Sequence, residues 1–303
     1  MNYLSVEHLT KTWQDEPILK KISFGLNRGD KIALVSKNGG GKSTLLNIII
    51  GKDTGDSGQA ILRKEIQVAY LSQEPFLDDN LSIIEQVLNF KNETTDTIKA
   101  YQSALKKLEH SDDAGVQEEL DKQMVKMSEL NAWDYEHRVE QIMSKLKIEN
   151  FQQKIGRLSG GQRKRVALAQ TLVSEPDFLI LDEPTNHLDF DMIEWLEQHL
   201  SQKDITLLLV THDRYFLDRV CNQIIELHEG KLFHYKGNYS YFLENKLLRE
   251  QIEESERQKT KQLHKKELDW VRRMPKARGT KSKSRVEAFD GIEGKLKSFK
   301  YKQ

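Results

Sequence analysis

The chain has 303 residues, 37% of them hydrophobic, with 17 Gly and 5 Pro; this is enough for one large or two ordinary globular domains and excludes collagen-like and wholly disordered readings. Formal net charge is zero, but from Glu244 onward 18 Lys/Arg stand against 10 Asp/Glu, so an acidic body carries a basic tail with a surplus of 8 positive charges. No apolar run is long enough to span a bilayer, Met1 to Thr10 lacks a signal-peptide pattern, and the single Cys221 can close no internal disulfide; together these predict a soluble, cytoplasmic protein in a reducing compartment.

In chain order, strand-like runs are expected at Leu19 to Leu26, Lys31 to Ser36, Gln67 to Ser72, Phe178 to Asp182, Thr206 to Thr211, Gln223 to Leu227 and Lys231 to Tyr235. Phe178 to Leu181 and Leu207 to Val210 are continuous apolar strings, as parallel strands covered on both faces require, which predicts an α/β core. The short strands at the two ends suggest an antiparallel flap. From about Ser82 to Ile155 apolar residues recur three or four apart (Ile98, Tyr101, Leu105, Leu108, then Leu120, Met124, Met127, Leu130), predicting a helical insert that extends to about residue 172. After Gly237, the stretch Tyr241 to Val271 has no Gly or Pro and predicts a long charged helix, ended by Pro275 and Gly279 and followed by a second helix near Ser284 to Phe289.

Two motifs carry chemistry. The strand ending at Ser36 runs into Lys37-Asn38-Gly39-Gly40-Gly41-Lys42-Ser43-Thr44 and an apolar helix, the context of a phosphate-binding loop. Glycines let backbone N–H groups turn toward phosphates, the helix N-terminus adds positive potential, Lys42 reaches the β and γ phosphates and the Ser43 hydroxyl can ligate Mg²⁺. Ser36 stands where a glycine is usual; if that position needs positive φ, the strain costs about 1 kcal/mol. The second motif is an apolar strand ending on Asp182 and Glu183. Asp182 can hold Mg²⁺, while Glu183 can orient and deprotonate an attacking water. Read alone, paired acids after a strand also suit a helix N-cap.

With Leu158-Ser159-Gly160-Gly161-Gln162-Arg163 added, the chain resembles the ABC ATPases. Gln73 in Tyr70-Leu-Ser-Gln73-Glu74, the Asn186-His187-Leu188-Asp189 turn, and His212 in Leu209-Val-Thr-His212-Asp213 stand in the order that family shows. The resemblance implies ATP and Mg²⁺ as ligands. It implies that Trp13 stacks on adenine, that Gln73 senses Mg²⁺ and couples the helical insert to the core, and that His212 contacts the γ phosphate. It also implies that Ser159, Gly160, Gly161 and Gln162 cap the ATP of a facing cassette, although Ser159 equally suits an ordinary N-cap. The implied fold is an ABC cassette: a RecA-like core, an antiparallel β subdomain and an inserted α-helical subdomain, followed by a long basic helical linker.

Between Trp270 and Val286 stand Arg272, Arg273, Lys276, Arg278, Lys281, Lys283 and Arg285 with no acidic residue. This segment is similar to the interdomain linker of the ABC-F family, soluble proteins in which two cassettes are joined by a basic-tipped helical hairpin. The expected organisation is a cassette at 1–243 and an incomplete linker at 244–303, with a second cassette in the same full-length chain. The resemblance implies a ribosome and tRNA partner; neutralising seven cations on single-stranded RNA would give a salt slope of about −5. The basic run also suits a solvated helix face, and the insert suits either a ribosome-contacting arm or a larger helical subdomain. Two other functions remain as alternatives: the ATPase subunit of a membrane transporter, and a DNA-binding ABC ATPase.

Overall fold

The computed structural model describes residues 1–14, 16–90, 93–108, 114–130, 132–202, 204–272, 288–289 and 291–294. The chain divides into two compact units, Met1–Lys236 and Gly237–Gln303.

The first unit opens with β1 (Asn2–Trp13) and β2 (Glu16–Asn27), an antiparallel pair, followed by β3 (Lys31–Ser36), α1 (Lys42–Ile49) and β4 (Ser57–Leu62). β5 (Val68–Leu71) leads into the insert, made of α2 (Ile83–Val87), α3 (Glu93–Leu108), α4 (Ala114–Glu129), α5 (Tyr135–Lys145) and α6 (Gly160–Val173). The core resumes with β6 (Phe178–Asp182), α7 (Phe190–Leu200), β7 (Thr206–Val210), α8 (Arg214–Val220), β8 (Gln223–His228) and β9 (Lys231–Lys236).

Two sheets result. One has three antiparallel strands in the order β2-β1-β4, and the other has six in the order β5-β6-β7-β3-β8-β9, parallel except for β9. Every residue of β6 and β7 is buried, as their unbroken apolar strings require of central parallel strands. Leu4, Leu9, Leu19 and Leu26 of the small sheet pack in one cluster with Leu45, Leu46 and Ile49 of α1 and with Ile32, Phe178 and Leu208 of the large sheet. Each such leucine contributes about 2 kcal/mol of burial. Because β3, β5, β6 and β7 run parallel, the loops that follow them all emerge at one sheet edge, the edge where such folds bind ligands.

Two strands, β1 and β4, escape the sequence reading. In β1 the alternation is broken by a register shift between Val6 and Leu9, where His8 is left-handed (φ 47°), so Leu4, Val6 and Leu9 face inward at unequal spacing. β4 is largely exposed, and only Ala60 and Leu62 of its one face pack against the core, too short an alternation to betray a strand.

In the insert, Ile98, Ala104, Leu120 and Met127 are buried, but Leu105 and Met124 are 37% and 41% exposed, contrary to expectation. α3 and α4 pack mainly on each other, and each therefore buries a narrower stripe than a core helix would. Cys221 is buried, and burial pushes its thiol up to about 12, so it acts as a small core residue.

The second unit contains α9 (Tyr239–Arg272), 34 residues long and highly charged, with Arg249–Glu253 and Arg257–Glu254 pairs along it. Helical residues 288–289 and 291–294 follow, and the Phe289 ring stacks on His264 of α9 at 5.1 Å between centroids. Of the basic cluster, Arg272 is the last residue of α9, whereas Arg273, Lys276, Arg278, Lys281, Lys283 and Arg285, like Pro275 and Gly279, lie outside the described residues.

Candidate active site

The loop after β3 is shaped by its glycines. Gly39 and Gly41 have φ of 74° and 94°, a region costly for other residues. Ser36 ends β3, is buried and does not have positive φ, so the serine in place of the usual first glycine carries no left-handed strain. Its Oγ donates to Lys37 O (3.2 Å) and its carbonyl accepts from Lys42 Nζ (3.1 Å). A Cβ on Gly40 would collide with Ser36 Oγ and lie 2.9 Å from Lys37 O. Gly41 starts α1 without a side-chain cap and without an acid in the first turn, leaving those N–H groups for an anion.

β6 delivers the two acids. Asp182 is buried; loss of solvent and the neighbouring Glu183 raise its carboxyl above the usual range, with Lys42, Lys164 and His212 opposing. Asp182, Ser43 and Gln73 line the same cavity and together offer oxygen donors that fit a divalent cation. Glu183 has φ of 52°, and its N–H donates to Val210 O at 2.8 Å. Its Oε2 accepts from His212 N–H (3.3 Å), while Oε1 is buried without a hydrogen bond, 3.5 Å from His212 Nε2. Neither acid caps a helix: α7 is capped by Asp189, whose Oδ1 accepts from Met192 N–H.

A cavity of about 620 Å³ joins these groups. It is lined by Trp13, Ile18, loop residues 38–44, Gln73, Asp182, Glu183, Asn186 and His212. Every expected nucleotide residue opens onto it except Ser36, which lies under the loop. Trp13 is 64% exposed, an open ring at the end of β1 rather than a core aromatic. Ile18 and Asn186 were not anticipated as lining residues; Asn186 had been visible only as part of a family turn.

Ser159, Gly160, Gly161 and Gln162 do not line this cavity. Ser159 Oγ accepts from Gln162 N–H (3.3 Å) and Gln162 Oε1 from Ser159 N–H (2.9 Å), a capping box at the start of α6. Ser159 and Gly160 are exposed, and a Cβ on Gly160 would meet nothing within 4 Å. Sequence reasoning also missed Arg163, whose guanidinium pairs with Asp79 (2.5 Å) and reaches Leu77 O and Ile155 O, and Lys147, which pairs with Asp189 (2.6 Å).

A family model described as ABC transporter matches residues 19–186, more than half of the chain. The chain belongs to this ABC family. A second model with the same description matches residues 225–301, across the end of the cassette and the following helix. The chain is 40% identical over 294 residues to the uncharacterized ABC transporter ATP-binding protein YfmR of Bacillus subtilis, covering 97% of this chain and 47% of that protein. It is 36% identical to the energy-dependent translational throttle protein EttA of Mycobacterium tuberculosis (94% and 51% covered) and 37% identical to EttA of Escherichia coli K12 (91% and 50%). The ABC cassette thus spans about half the length of the curated relatives it matches. These matches fit one cassette of an ABC-F protein. Neither the transporter-subunit nor the DNA-binding alternative is favoured by them.

Solved structures agree on the fold: the ATP-binding subunit of an ABC transporter (TM-score 0.57, 21% identity, 77% of this chain and 90% of that one) and a nucleotide-free ATP-binding cassette (0.52, 19%, 78% and 92%). Among the described residues no helix is long and apolar enough to cross a membrane.

Proposed function

We propose that this cassette binds and hydrolyses ATP, and that its closure on a second cassette in the full-length protein controls binding to the ribosome and its tRNA in the cytoplasm. The observation that carries the hydrolytic half is Glu183: a mostly buried carboxylate at the cavity that Lys42 and the glycine loop also line, with one oxygen that makes no hydrogen bond and lies 3.5 Å from His212 Nε2.

In this reading the N–H groups of Gly41 to Thr44 and the Lys42 ammonium bind the phosphates, and Trp13 covers the adenine. Ser43, Gln73 and Asp182 would hold Mg²⁺, which supplies charge neutralisation at the phosphates when bound. Glu183 orients a water and takes its proton as the water oxygen bonds to the γ phosphorus; the bond to the β–γ bridging oxygen breaks, giving ADP and phosphate. His212, hydrogen-bonded through its N–H to Glu183, keeps that carboxylate aimed and contacts the γ phosphate. Ser159, exposed, and the half-buried Gly161, both outside the cavity of their own loop, complete the ATP site of the facing cassette.

The ribosomal half is supported by the EttA relatives, whose name describes a translational throttle, and by the basic run from Arg272 to Arg285. Substituting Glu183→Gln should leave ATP affinity intact and slow turnover at least about a hundredfold, as loss of a general base does. Fluorescent-ATP titration and phosphate release read the two quantities; unchanged turnover would remove Glu183 from the mechanism.

A further inference from the structure

Residues 183–189, which connect β6 to α7, hold a conformation few side chains adopt freely: Glu183 and His187 have φ of 52° and 69°. The hydrogen bonds inside this turn are long, Asn186 N–H to Glu183 O at 3.3 Å and Leu188 N–H to Thr185 O at 3.2 Å. A strained turn persists only where its surroundings over-determine it. Its far end is Asp189, whose two oxygens have separate partners: Oδ1 accepts from Met192 N–H, and Oδ2 from Lys147 Nζ at 2.6 Å. Asp191 Oδ2 stands 3.5 Å from the same ammonium.

Lys147 belongs to the helical insert, and its own backbone is fixed on all sides. It is left-handed (φ 51°), sits between buried Leu146 and Ile148, and donates its N–H to Ser144 O at 2.9 Å. Its carbonyl accepts from Arg165 Nη1 at 3.2 Å, and Arg165 is in the second turn of α6, the helix that Ser159 caps. Only the side chain is left to reach outward, and it reaches the end of the turn that starts at Glu183. On the same turn, His187 lies against Gly161, where an added Cβ would meet His187 Cβ at 3.4 Å.

We infer that Lys147 is a positioning residue for the ATP site: by tying the helical insert to Asp189 it registers the 183–189 turn, and with it Glu183 and Asn186 at the cavity. Lys147 touches no substrate and acts through Asp189. The inference rests on Glu183 serving as the general base. An exposed ion pair adds little to global stability, so its loss alters registration rather than folding.

The test compares the intact chain with Lys147→Ala and Lys147→Arg by hydrogen exchange of the 184–190 amides without nucleotide and by steady-state ATP turnover at one protein concentration. Lys147→Ala should exchange faster in that segment and lose about tenfold in kcat, with KM for ATP within about twofold, as a small misplacement of a catalytic group does. Lys147→Arg should restore both readings. Unchanged exchange in Lys147→Ala overturns the inference, and so does faster exchange with an unchanged kcat. If the wild-type chain turns over no ATP, as a single cassette without its facing partner is expected to do, exchange alone decides: a faster segment in Lys147→Ala still supports the anchor, and the general base is tested separately by Glu183→Gln in the two-cassette protein.

Discussion

Ser36 and Gly40 define each other in the phosphate loop. The serine hydroxyl fills the space a Cβ on Gly40 would need, and Ser36 itself takes an ordinary backbone conformation. Ser36→Gly should therefore leave ATP affinity within about twofold, because no strain is relieved and no phosphate contact is lost. Gly40→Ala forces Ser36 and the Lys37 carbonyl aside, an overpacking of about 1–3 kcal/mol, so affinity should fall by roughly tenfold or more in the same titration. Equal affinity for Gly40→Ala and wild type would mean that the loop opens freely. At this scale the site was legible wherever chemistry demands a residue type at a fixed spacing: the glycine loop and Lys42, the strand-end acids, His212. Lys147 and Arg163 were not legible. Their meaning comes from Asp189 and Asp79, 42 and 84 residues away, and exposed Lys and Arg are otherwise ordinary surface residues.

Among the elements, α6 has two uses for one residue. Ser159 closes a capping box with Gln162 and is exposed at a helix N-terminus, so its hydroxyl serves both the helix and, in the proposed closure, a facing nucleotide. Ser159→Ala should cost about 1 kcal/mol of cap energy, lowering the Tm by about 2–4 °C. ATP affinity in its own pocket should stay unchanged while turnover falls, and Ser159→Thr should regain the cap. Loss of ATP affinity in Ser159→Ala, read by fluorescent titration, would place the signature at its own loop and contradict the reading. The large parallel sheet was legible because its strands are buried on both faces and leave unbroken apolar strings. β1 was not, since its bulge at His8 replaces alternation with inward residues at spacings of two and three. The insert was legible as helical, and Ile98, Leu120 and Met127 face inward as expected, but Leu105 and Met124 do not, because a helix hairpin that packs on itself leaves them at its flank.

For the whole molecule, an acidic cassette carries a basic tail, the charge distribution that the proposed nucleotide-controlled RNA contact requires. The signature residues do not line the cavity of their own phosphate loop, and the chain spans about half the length of its relatives; both support the proposal that this cassette works against a second one. The decisive measurement is co-sedimentation of the full-length protein with ribosomes in ATP and in ADP over a salt series, with Glu183→Gln and the matching change in the second cassette to hold it closed. The account predicts retention in ATP and release in ADP, with binding that weakens steeply as salt rises. Equal retention in both nucleotides, or none in either, would contradict it.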